Sequence, residues 1–291
     1  MQEAQILISG IAQGCIYGLI ALGFVLIYKA TETVSFVQGD LMMVGAFCGL
    51  GALDWLGWPY WMAVPAALLA MAGMGWLLER MVIRPILGQP VFSVVMLTFG
   101  IGYVVRGLIT MIPDVGTDTL SFAAPYKDVV FQWGGLVLGA TQAVIVLATG
   151  LLCLVLYLIF NRSQVGIAMQ AASQNQLAAY YMGIPVKRLN GWVWAMAAGV
   201  ATLAGMLLAP ITFVHANMGL IGLKAFPAAV VGGFTSLPGA ILGGVIIGVV
   251  EALAGFYLPE GFKDVAAYIV VLLMLALKPN GLLGENLRKK V

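Results

Sequence analysis

Three charged residues and one amide lie inside long apolar runs of the sequence, and they are the first candidates for chemistry. Gln38 and Asp40 stand near the start of one run, whereas Arg106 and Glu251 stand far along two others. A charge held in lipid costs about 3 kcal/mol or more unless it is paired or hydrated. From their depth we predict a structural ion pair between Arg106 and Glu251. For Gln38 and Asp40 the sequence leaves two roles open: a hydrated pathway, or a hydrogen bond between helices.

The residue sets that catalysis needs do not occur in the sequence. There is no glycine-rich Walker loop for ATP. The single histidine, His215, lies beside Asn217 in a predicted external loop, and one histidine does not make a metal site. No serine, histidine and acid occur in a hydrolase context. We therefore expect that the chain is not an enzyme and binds neither metal nor cofactor, and its net charge of +2 does not indicate nucleic acid binding.

The segment 161–190 is the longest clearly polar stretch between two apolar runs. Its residues Gln164 to Met182 are predicted to form a short helix, which Gly183 and Pro185 end, because glycine accepts the left-handed conformation and proline cannot continue a helix. The polar face and the positive flanks consist of Gln170, Ser173 and Gln174, and of Arg162, Lys187 and Arg188. Such a segment is either a docking helix for a soluble partner or a solvated loop helix.

The composition indicates a chain built for lipid. Hydrophobic residues make up 62% of the chain and charged residues 9%, against about 25% charged residues in soluble domains. We predict a single all-α, polytopic membrane domain over residues 1–291, with about eight apolar regions. The regions are Ile6–Tyr28, Val34–Leu53, Pro59–Leu78, Val91–Ile112, Leu136–Phe160, Gly191–Ile211, Gly222–Leu258 and Val265–Leu277. The seventh is too long for one span and carries the turn-forming residues Ser236 to Gly239, so we expect a broken span or a hairpin.

The positions of the basic residues predict the orientation of the chain. Cytoplasmic loops of membrane proteins carry an excess of lysine and arginine. Ten of the 14 basic residues fall on one side of the membrane, provided that the seventh region enters the membrane and comes back out. They are Lys29, Arg80, Arg84, Arg162, Lys187, Arg188, Lys278, Arg288, Lys289 and Lys290. This arrangement predicts an N-terminus outside the cell, a cytoplasmic C-terminus and a cytoplasmic segment 161–190.

Glycines spaced four residues apart mark one face of two apolar regions. Gly10, Gly14 and Gly18 lie in the first region, and Gly244 and Gly248 lie in the seventh. Small residues at this spacing let helices approach closely in lipid. We expect this packing to occur within the chain rather than between two copies of it.

Three blocks of the sequence resemble the branched-chain amino acid ABC transporter permease family, the LivH and LivM type. Tyr17 to Gly45, YGLIALGFVLIYKATETVSFVQGDLMMVG, resembles a block in which an "ALGL-LIY" run precedes an "NFAHGE" motif. Gly166 to Pro185 ends in "MGIP", where the family commonly has "LGIN". Gly222 to Glu251 is close to the family pattern throughout, and it is the most specific of the three blocks.

The resemblance implies a pore-forming subunit of an ABC importer in the bacterial inner membrane. The implied partners are a second permease subunit, alike or unlike, a periplasmic solute-binding protein and two cytoplasmic ATPases that hold ATP and Mg²⁺. The polar segment then resembles the helix that couples the permease to an ATPase. The residues assigned to this coupling are Arg162, Gly166, Gln170, Ser173, Gln174, Asn175, Tyr181, Gly183, Lys187 and Arg188.

The solute and its path are predicted less directly. The family's Asn and His in "NFAHG" are Ser35 and Gln38 here, and a basic residue and an acid of the coupling segment are replaced by residues such as Gln170 and Asn175. The leading solute is a branched-chain amino acid, and urea, short amides and other small carboxylates are the alternatives. The predicted path residues are Gln38, Asp40, Thr98, Phe99 and Phe226. The competing hypothesis is a self-contained channel or secondary transporter. A third hypothesis, a membrane enzyme subunit, would need a cluster of titratable groups at one membrane face, and the sequence shows none.

Overall fold

A computed structural model describes residues 2–113, 115–127, 129–133, 136–259 and 261–284. Within these residues the chain forms eleven α-helices and one antiparallel two-stranded hairpin. The helices are α1 Gln2–Thr31, α2 Gln38–Asp54, α3 Tyr60–Leu78, α4 Val91–Thr110, α5 Ala140–Arg162, α6 Gln164–Gln174, α7 Gln176–Tyr181, α8 Val186–Thr212, α9 Ile221–Gly232, α10 Leu237–Tyr257 and α11 Phe262–Leu277. The strands are β1 Val130–Trp133 and β2 Leu136–Gly139. A π-helical turn Glu79–Ile83 and a 3₁₀ turn Arg84–Ile86 extend α3, and a 3₁₀ turn Ala216–Leu220 precedes α9.

The architecture is that of a polytopic helical membrane protein. Each predicted apolar region contains a helix, because a segment in lipid must satisfy its own backbone hydrogen bonds. In the described part of the chain, six helices are long and apolar enough to cross a membrane: α1, α3 with its extension, α4, α5, α8 and α10. The shorter helices α2, α9 and α11 have 17, 12 and 16 residues. The count of eight spanning regions and the orientation of the termini therefore stay predictions, and Arg288, Lys289 and Lys290 lie outside the described residues.

The described chain is mostly helical, as predicted, and one short hairpin is an addition that the sequence analysis did not predict. Val130 pairs with Gly139 and Phe131 with Leu138, so the first residues of the predicted fifth apolar region form a strand. Two valines and two aromatic residues among residues 129–133 favour a strand, and β2 supplies its partner. Nearby, the Tyr126 and Tyr60 hydroxyl groups are hydrogen bonded at 2.8 Å. Burial raises the pKa of Tyr126, and the hydrogen bond to Tyr60 raises it further, so this phenol stays protonated at neutral pH.

Helix α1 is the centre of the fold. All residues from Gly14 to Ile27 are buried, mainly against α10 and α8. Gly14 meets Gly248 and Val245, and Gly18 meets Gly244, with contacts that only glycine permits. The predicted close packing of the glycine series within the chain is therefore confirmed. Helices α3, α4, α5 and α11 bury few residues and present apolar side chains outward, as lipid-facing helices do.

The predicted break in the seventh region lies slightly earlier than expected. Helix α9 ends at Gly232, and Gly233 turns the chain with φ of +99°. Ser236 then caps α10, because its hydroxyl accepts a hydrogen bond from the Gly239 amide at 3.1 Å. Leu237 to Gly239 thus begin a helix instead of forming the turn. The residues after α11 pack against this break, because the Leu282 amide donates a hydrogen bond to the Val231 carbonyl near the end of α9 at 2.9 Å.

Candidate functional site

The first turns of two helices, α2 and α9, meet at the candidate site. The linker 32–37 leads into α2, and the 3₁₀ turn Ala216–Leu220 leads into α9. A methyl group on Gly39 would lie 2.9 Å from the Gly222 Cα and would overlap the Gly219 carbonyl oxygen. Glycine is therefore required where the two helix starts touch. Broken helices of this kind surround the solute sites of many transporters.

An ion pair joins α2 to α4 beside this contact. The Arg106 Nε donates to the Asp40 Oδ1 at 2.6 Å, and the two side chains are 20% and 6% exposed. Gly219 and Gly102 make room for it, because a methyl group on Gly219 would lie 2.6 Å from Asp40 Oδ1 and one on Gly102 would overlap Oδ2. The predicted Arg106–Glu251 pair is therefore wrong. Depth along each helix was its only basis, and depth does not determine which helices are neighbours.

Glu251 has a different partner on α1. The Tyr17 hydroxyl donates to the Glu251 Oε2 at 2.7 Å, and Glu251 is 1% exposed. Within the described residues, the second carboxyl oxygen Oε1 has no hydrogen-bond partner. The contact extends the α1–α10 packing beyond the glycines, so Glu251 does join two helices, but not the predicted two.

Five phenylalanines from α1, α4, α9 and the neighbouring loops form an aromatic cluster. They are Phe24, Phe36, Phe99, Phe226 and Phe234. Phe36 and Phe99 stack with centroids 4.5 Å apart, and Phe226 lies 5.3 Å from Phe36. All but Phe24 are half-buried in the single chain. The cluster therefore offers an apolar surface contributed by α1, the linker 32–37, α4, α9 and the residues just after α9.

The structure brings together three of the five predicted path residues. Phe99 and Phe226 belong to the aromatic cluster, and the Thr98 hydroxyl accepts a hydrogen bond from the Phe36 amide at 3.2 Å. Gln38 points elsewhere: it is fully buried, and its Nε2 donates to the Ala197 carbonyl of α8 at 2.9 Å. The hydrogen bond between helices, which the sequence left open for Gln38, is thus observed. A contact of Gln38 with solute stays a prediction.

The polar segment forms two helices instead of the single predicted one. Asn175 has an extended backbone, with φ of −159°, and its side chain accepts a hydrogen bond from the Ala178 amide, which starts α7. At the other end Gly183 has φ of +84°. The Gly183 and Ile184 amides donate to the Tyr180 and Ala179 carbonyls at 3.0 Å each. This pattern is the Schellman motif, so the predicted role of Gly183 as the helix stop is confirmed.

Several residues assigned to partner contact have structural roles within the segment. A methyl group on Gly166 would overlap the Ile159 carbonyl and would lie 2.5 Å from the Phe160 Cα, so Gly166 allows α6 to pack on the end of α5. The Gln170 Nε2 donates to the Phe160 carbonyl at 3.0 Å. Gln170, Ser173 and Gln174 also line a cavity of about 860 Å³ between α5, α6 and the start of α10. Their contact with a partner stays a prediction.

Helix α7 carries an exposed apolar surface that the sequence analysis did not identify. Its members, with exposed fractions, are Leu177 at 67%, Tyr180 at 68%, Tyr181 at 77% and Met182 at 83%. Tyr181 was predicted as a contact residue, and the other three were missed. Leu177, Tyr180 and Tyr181 lie at i, i+3 and i+4 and share one helix face, and this spacing was the available signal. Met182 directly follows the last residue of α7. Arg162, Lys187 and Arg188 are exposed in the same segment.

An ion pair within the extension of α3 lies against the start of α8. The Glu79 carboxylate is fully buried and accepts hydrogen bonds from Arg84 at 3.1 Å and 2.6 Å. Arg84 also donates to the Lys187 carbonyl at 2.9 Å. A bidentate pair of this kind fixes both position and angle. The extension of α3 is therefore hydrogen bonded to the first turn of α8.

Comparison with known proteins gives one consistent result. A sequence model of the family described as branched-chain amino acid transport system, permease component, matches residues 6–277. LivH of Salmonella typhimurium, a high-affinity branched-chain amino acid transport system permease protein, is 29% identical over 307 residues, covering 99% of this chain and 97% of its own. BraD of Pseudomonas aeruginosa, with the same description, is 28% identical over 299 residues, with 99% and 97% coverage. A probable branched-chain amino acid transport permease protein LivH of Methanocaldococcus jannaschii is 29% identical over 303 residues, with 99% and 94% coverage.

Proposed function

The chain belongs to the branched-chain amino acid transport system permease family, and from this premise we propose that it is the solute-translocating subunit of an ATP-driven importer. It is a multi-pass protein of the bacterial inner membrane. A permease component implies partner subunits. We assign these as a second permease subunit, identical or related, a periplasmic solute-binding protein and two cytoplasmic ATPases. ATP and Mg²⁺ belong to the ATPases, and this chain contributes translocation rather than catalysis.

The apolar surface of α7 is the observation that carries the proposed coupling to an ATPase. Four large apolar side chains stand in a polar segment between two long helices, where water would surround them in the isolated chain. Exposed apolar patches rimmed by polar residues mark interaction sites. An amphipathic helix of this kind fits an apolar groove on a soluble partner. The exposed basic residues Arg162, Lys187 and Arg188 suit a groove with an acidic rim.

The contacts around α7 support a cytoplasmic location for the segment. The Gln176 Nε2 donates to the Ala30 carbonyl at the end of α1 at 2.8 Å, and Arg84 joins the end of α3 to the start of α8. Lys29, Arg84, Arg162 and Lys187 therefore belong to one end of the helix bundle. A concentration of basic residues at one end favours its placement in the cytoplasm. The N-terminus then lies outside and the C-terminus inside.

We place the solute path along the aromatic cluster and the Asp40–Arg106 pair. Thr98 holds the linker in place, and Phe99 and Phe226 supply apolar surface to the path. Gln38 supports the path from the side of α8. Ser35 and Gln38, where the sequence departs from the family pattern, are 1% and 0% exposed. Their replacement thus changes the packing behind the path more than its surface.

Branched-chain amino acids are the solutes that the relatives' names and the aromatic cluster favour together. An aliphatic side chain buries its surface against phenylalanine rings, whereas urea and short amides offer little apolar surface for this contact. The test is uptake of labelled leucine, and separately of urea and acetamide, by vesicles containing the permease pair, the ATPases and the binding protein. ATP-dependent uptake of leucine alone is expected. Uptake of urea or acetamide in preference to leucine would overturn the assigned solute, and equal uptake without ATP would overturn the importer.

A further inference from the structure

Arg106 has hydrogen-bonding capacity that its partner Asp40 does not use. The guanidinium binds Asp40 through Nε. In the described part of the chain, neither terminal nitrogen of Arg106 has a hydrogen-bond partner, and the nearest ring, that of Tyr103, lies 5.8 Å from Cζ. A guanidinium offers five donors in a planar fork that matches a carboxylate. The terminal nitrogens are thus free to bind an oxyanion.

The surroundings of Arg106 hold the guanidinium in a fixed position. The Asp40 carboxylate is 6% exposed and cannot follow a moving arginine. A methyl group on Gly219 would lie 3.3 Å from the Arg106 Nη2, so the start of α9 packs closely against one edge of the fork. The arginine side chain still keeps 20% of its surface exposed. The pair is therefore more open on the side of the arginine than on the side of the aspartate.

The position of Arg106 along α4 places it above the aromatic cluster. Phe99 and Arg106 are seven residues apart, which is about two turns or roughly 10 Å along one helix face. Arg106 lies fifteen residues after Val91, about 22 Å along the helix. In the orientation proposed above, it lies toward the outer surface, with the aromatic cluster below it. The guanidinium of Arg106 suits a carboxylate, and the phenylalanine rings below it suit an aliphatic side chain. A solute that carries both groups and enters from outside meets Arg106 first and the rings second.

We infer that the terminal nitrogens of Arg106 form the carboxylate-binding point of the solute path, where a solute released on the outer side is first held. This inference rests on the proposed function and adds the residue that binds the carboxylate of the solute. Asp40 is a positioning residue that fixes the guanidinium through Nε. The arrangement discriminates against neutral solutes, because an amide or urea leaves the fork without its charge-assisted bonds.

The test compares four variants in leucine uptake by the complete, reconstituted importer. Arg106→Gln is expected to lower uptake efficiency about tenfold to a hundredfold, the size of a lost charge-assisted contact. Arg106→Lys keeps the charge but loses the fork, and about a tenfold loss is expected. Asp40→Asn keeps an acceptor for Nε but loses its charge, so a loss of uptake smaller than that of Arg106→Gln is expected. The double variant Asp40→Asn with Arg106→Gln removes both charges and is expected to remain as poor as Arg106→Gln.

The outcomes separate a binding role from a structural role. Equal losses in Asp40→Asn and Arg106→Gln, or recovery in the double variant, would show that the pair acts only in packing and would overturn the inference. Unchanged uptake by Arg106→Gln would also overturn it. Failure of the parent to take up leucine is a different result, because it contradicts the proposed function itself. Copurification of the ATPases with each variant reports assembly independently of uptake.

Two further measurements keep the inference testable if a variant does not assemble. In the parent protein, phenylglyoxal labelling of Arg106, followed by mass spectrometry, is expected to fall with saturating leucine and not with leucinamide. Equal protection by both, or by neither, would overturn the inference. A lipid phosphate is the other source of an oxyanion for Arg106. If labelling instead changes between phosphatidylglycerol and phosphatidylcholine vesicles and does not respond to leucine, the partner is lipid and the inference fails.

Discussion

A methyl group at Gly14 tests the packing of α1 against α10 on which the fold depends. The added carbon would lie 2.6 Å from the Val245 Cα and 2.7 Å from the Gly244 carbonyl oxygen. Non-bonded carbon atoms prefer separations of about 3.5–4.0 Å, so the two helices must move apart by about 1 Å. Both contacts are with backbone atoms, which no side-chain rotation can relieve. Overpacking of this kind costs about 1–3 kcal/mol.

The matched control is Gly150→Ala on α5. A methyl group there has no neighbour within 4 Å among the described residues. Both substitutions gain the same helix propensity, about 1 kcal/mol for alanine over glycine. The difference between the two variants therefore isolates the packing cost. We expect Gly14→Ala to have a free energy of unfolding about 1–3 kcal/mol below that of Gly150→Ala.

The assay is unfolding of the purified chain in mixed micelles by sodium dodecyl sulfate, followed by circular dichroism. Equal stability of the two variants would refute the close packing of α1 on α10. The close packing would also be refuted if the Gly14→Ala variant kept its full stability as a single chain but no longer associated with another permease subunit. That outcome would assign the glycine series to a contact between subunits.

Three further substitutions test individual contacts. Gly183→Ala is expected to weaken the end of α7 by about 1–2 kcal/mol, because alanine resists the left-handed conformation. Uptake is expected to fall more in Gly183→Ala than in Gly183→Asn, and equal uptake by the two variants would contradict the role of this turn. Tyr17→Phe removes the hydrogen bond to buried Glu251 and is expected to lower the free energy of unfolding by about 1–3 kcal/mol. The same micelle assay measures this value, and an unchanged free energy of unfolding would mean that the hydrogen bond contributes nothing to stability. Gln38→Ala is expected to lower stability while leaving the KM for leucine uptake unchanged, and a raised KM would return Gln38 to the solute surface.

The sequence was sufficient for features that depend on local pattern. The length of the apolar runs predicted each of the six helices that are long enough to cross a membrane. The glycine spacing predicted the close packing of α1 on α10. Both signals are local, because each can be seen within one segment. The Gly183 stop was predictable for the same reason, since a left-handed position favours glycine. The coupling role of segment 161–190 was predicted from the family resemblance, because its charges alone left the role open, and it stays a prediction.

The errors concern contacts between segments distant in the chain. Arg106 and Glu251 were paired by depth, but α4 lies beside α2, and α10 lies beside α1. Nothing in a single sequence states which helices are neighbours. The break at Asn175 was missed because alanine, glutamine and leucine on both sides favour continued helix, and the cap depends on one side chain. The apolar surface of α7 was visible in the spacing of Leu177 and Tyr181, but the polar residues of the segment contrast more strongly with the two flanking apolar runs.

The most direct test of the account is copurification of the ATPases with a variant of α7. The tagged chain would be isolated from its native membranes as the parent, as Leu177→Glu and as the control Leu56→Glu. Leu56 follows α2 at the opposite end of the bundle and is 60% exposed, against 67% for Leu177. The account predicts that two ATPases copurify with the parent and with Leu56→Glu, and that Leu177→Glu loses them. Absence of any ATPase from the parent, together with solute transport by the purified chain alone in vesicles, would contradict the account and favour a self-contained channel or carrier.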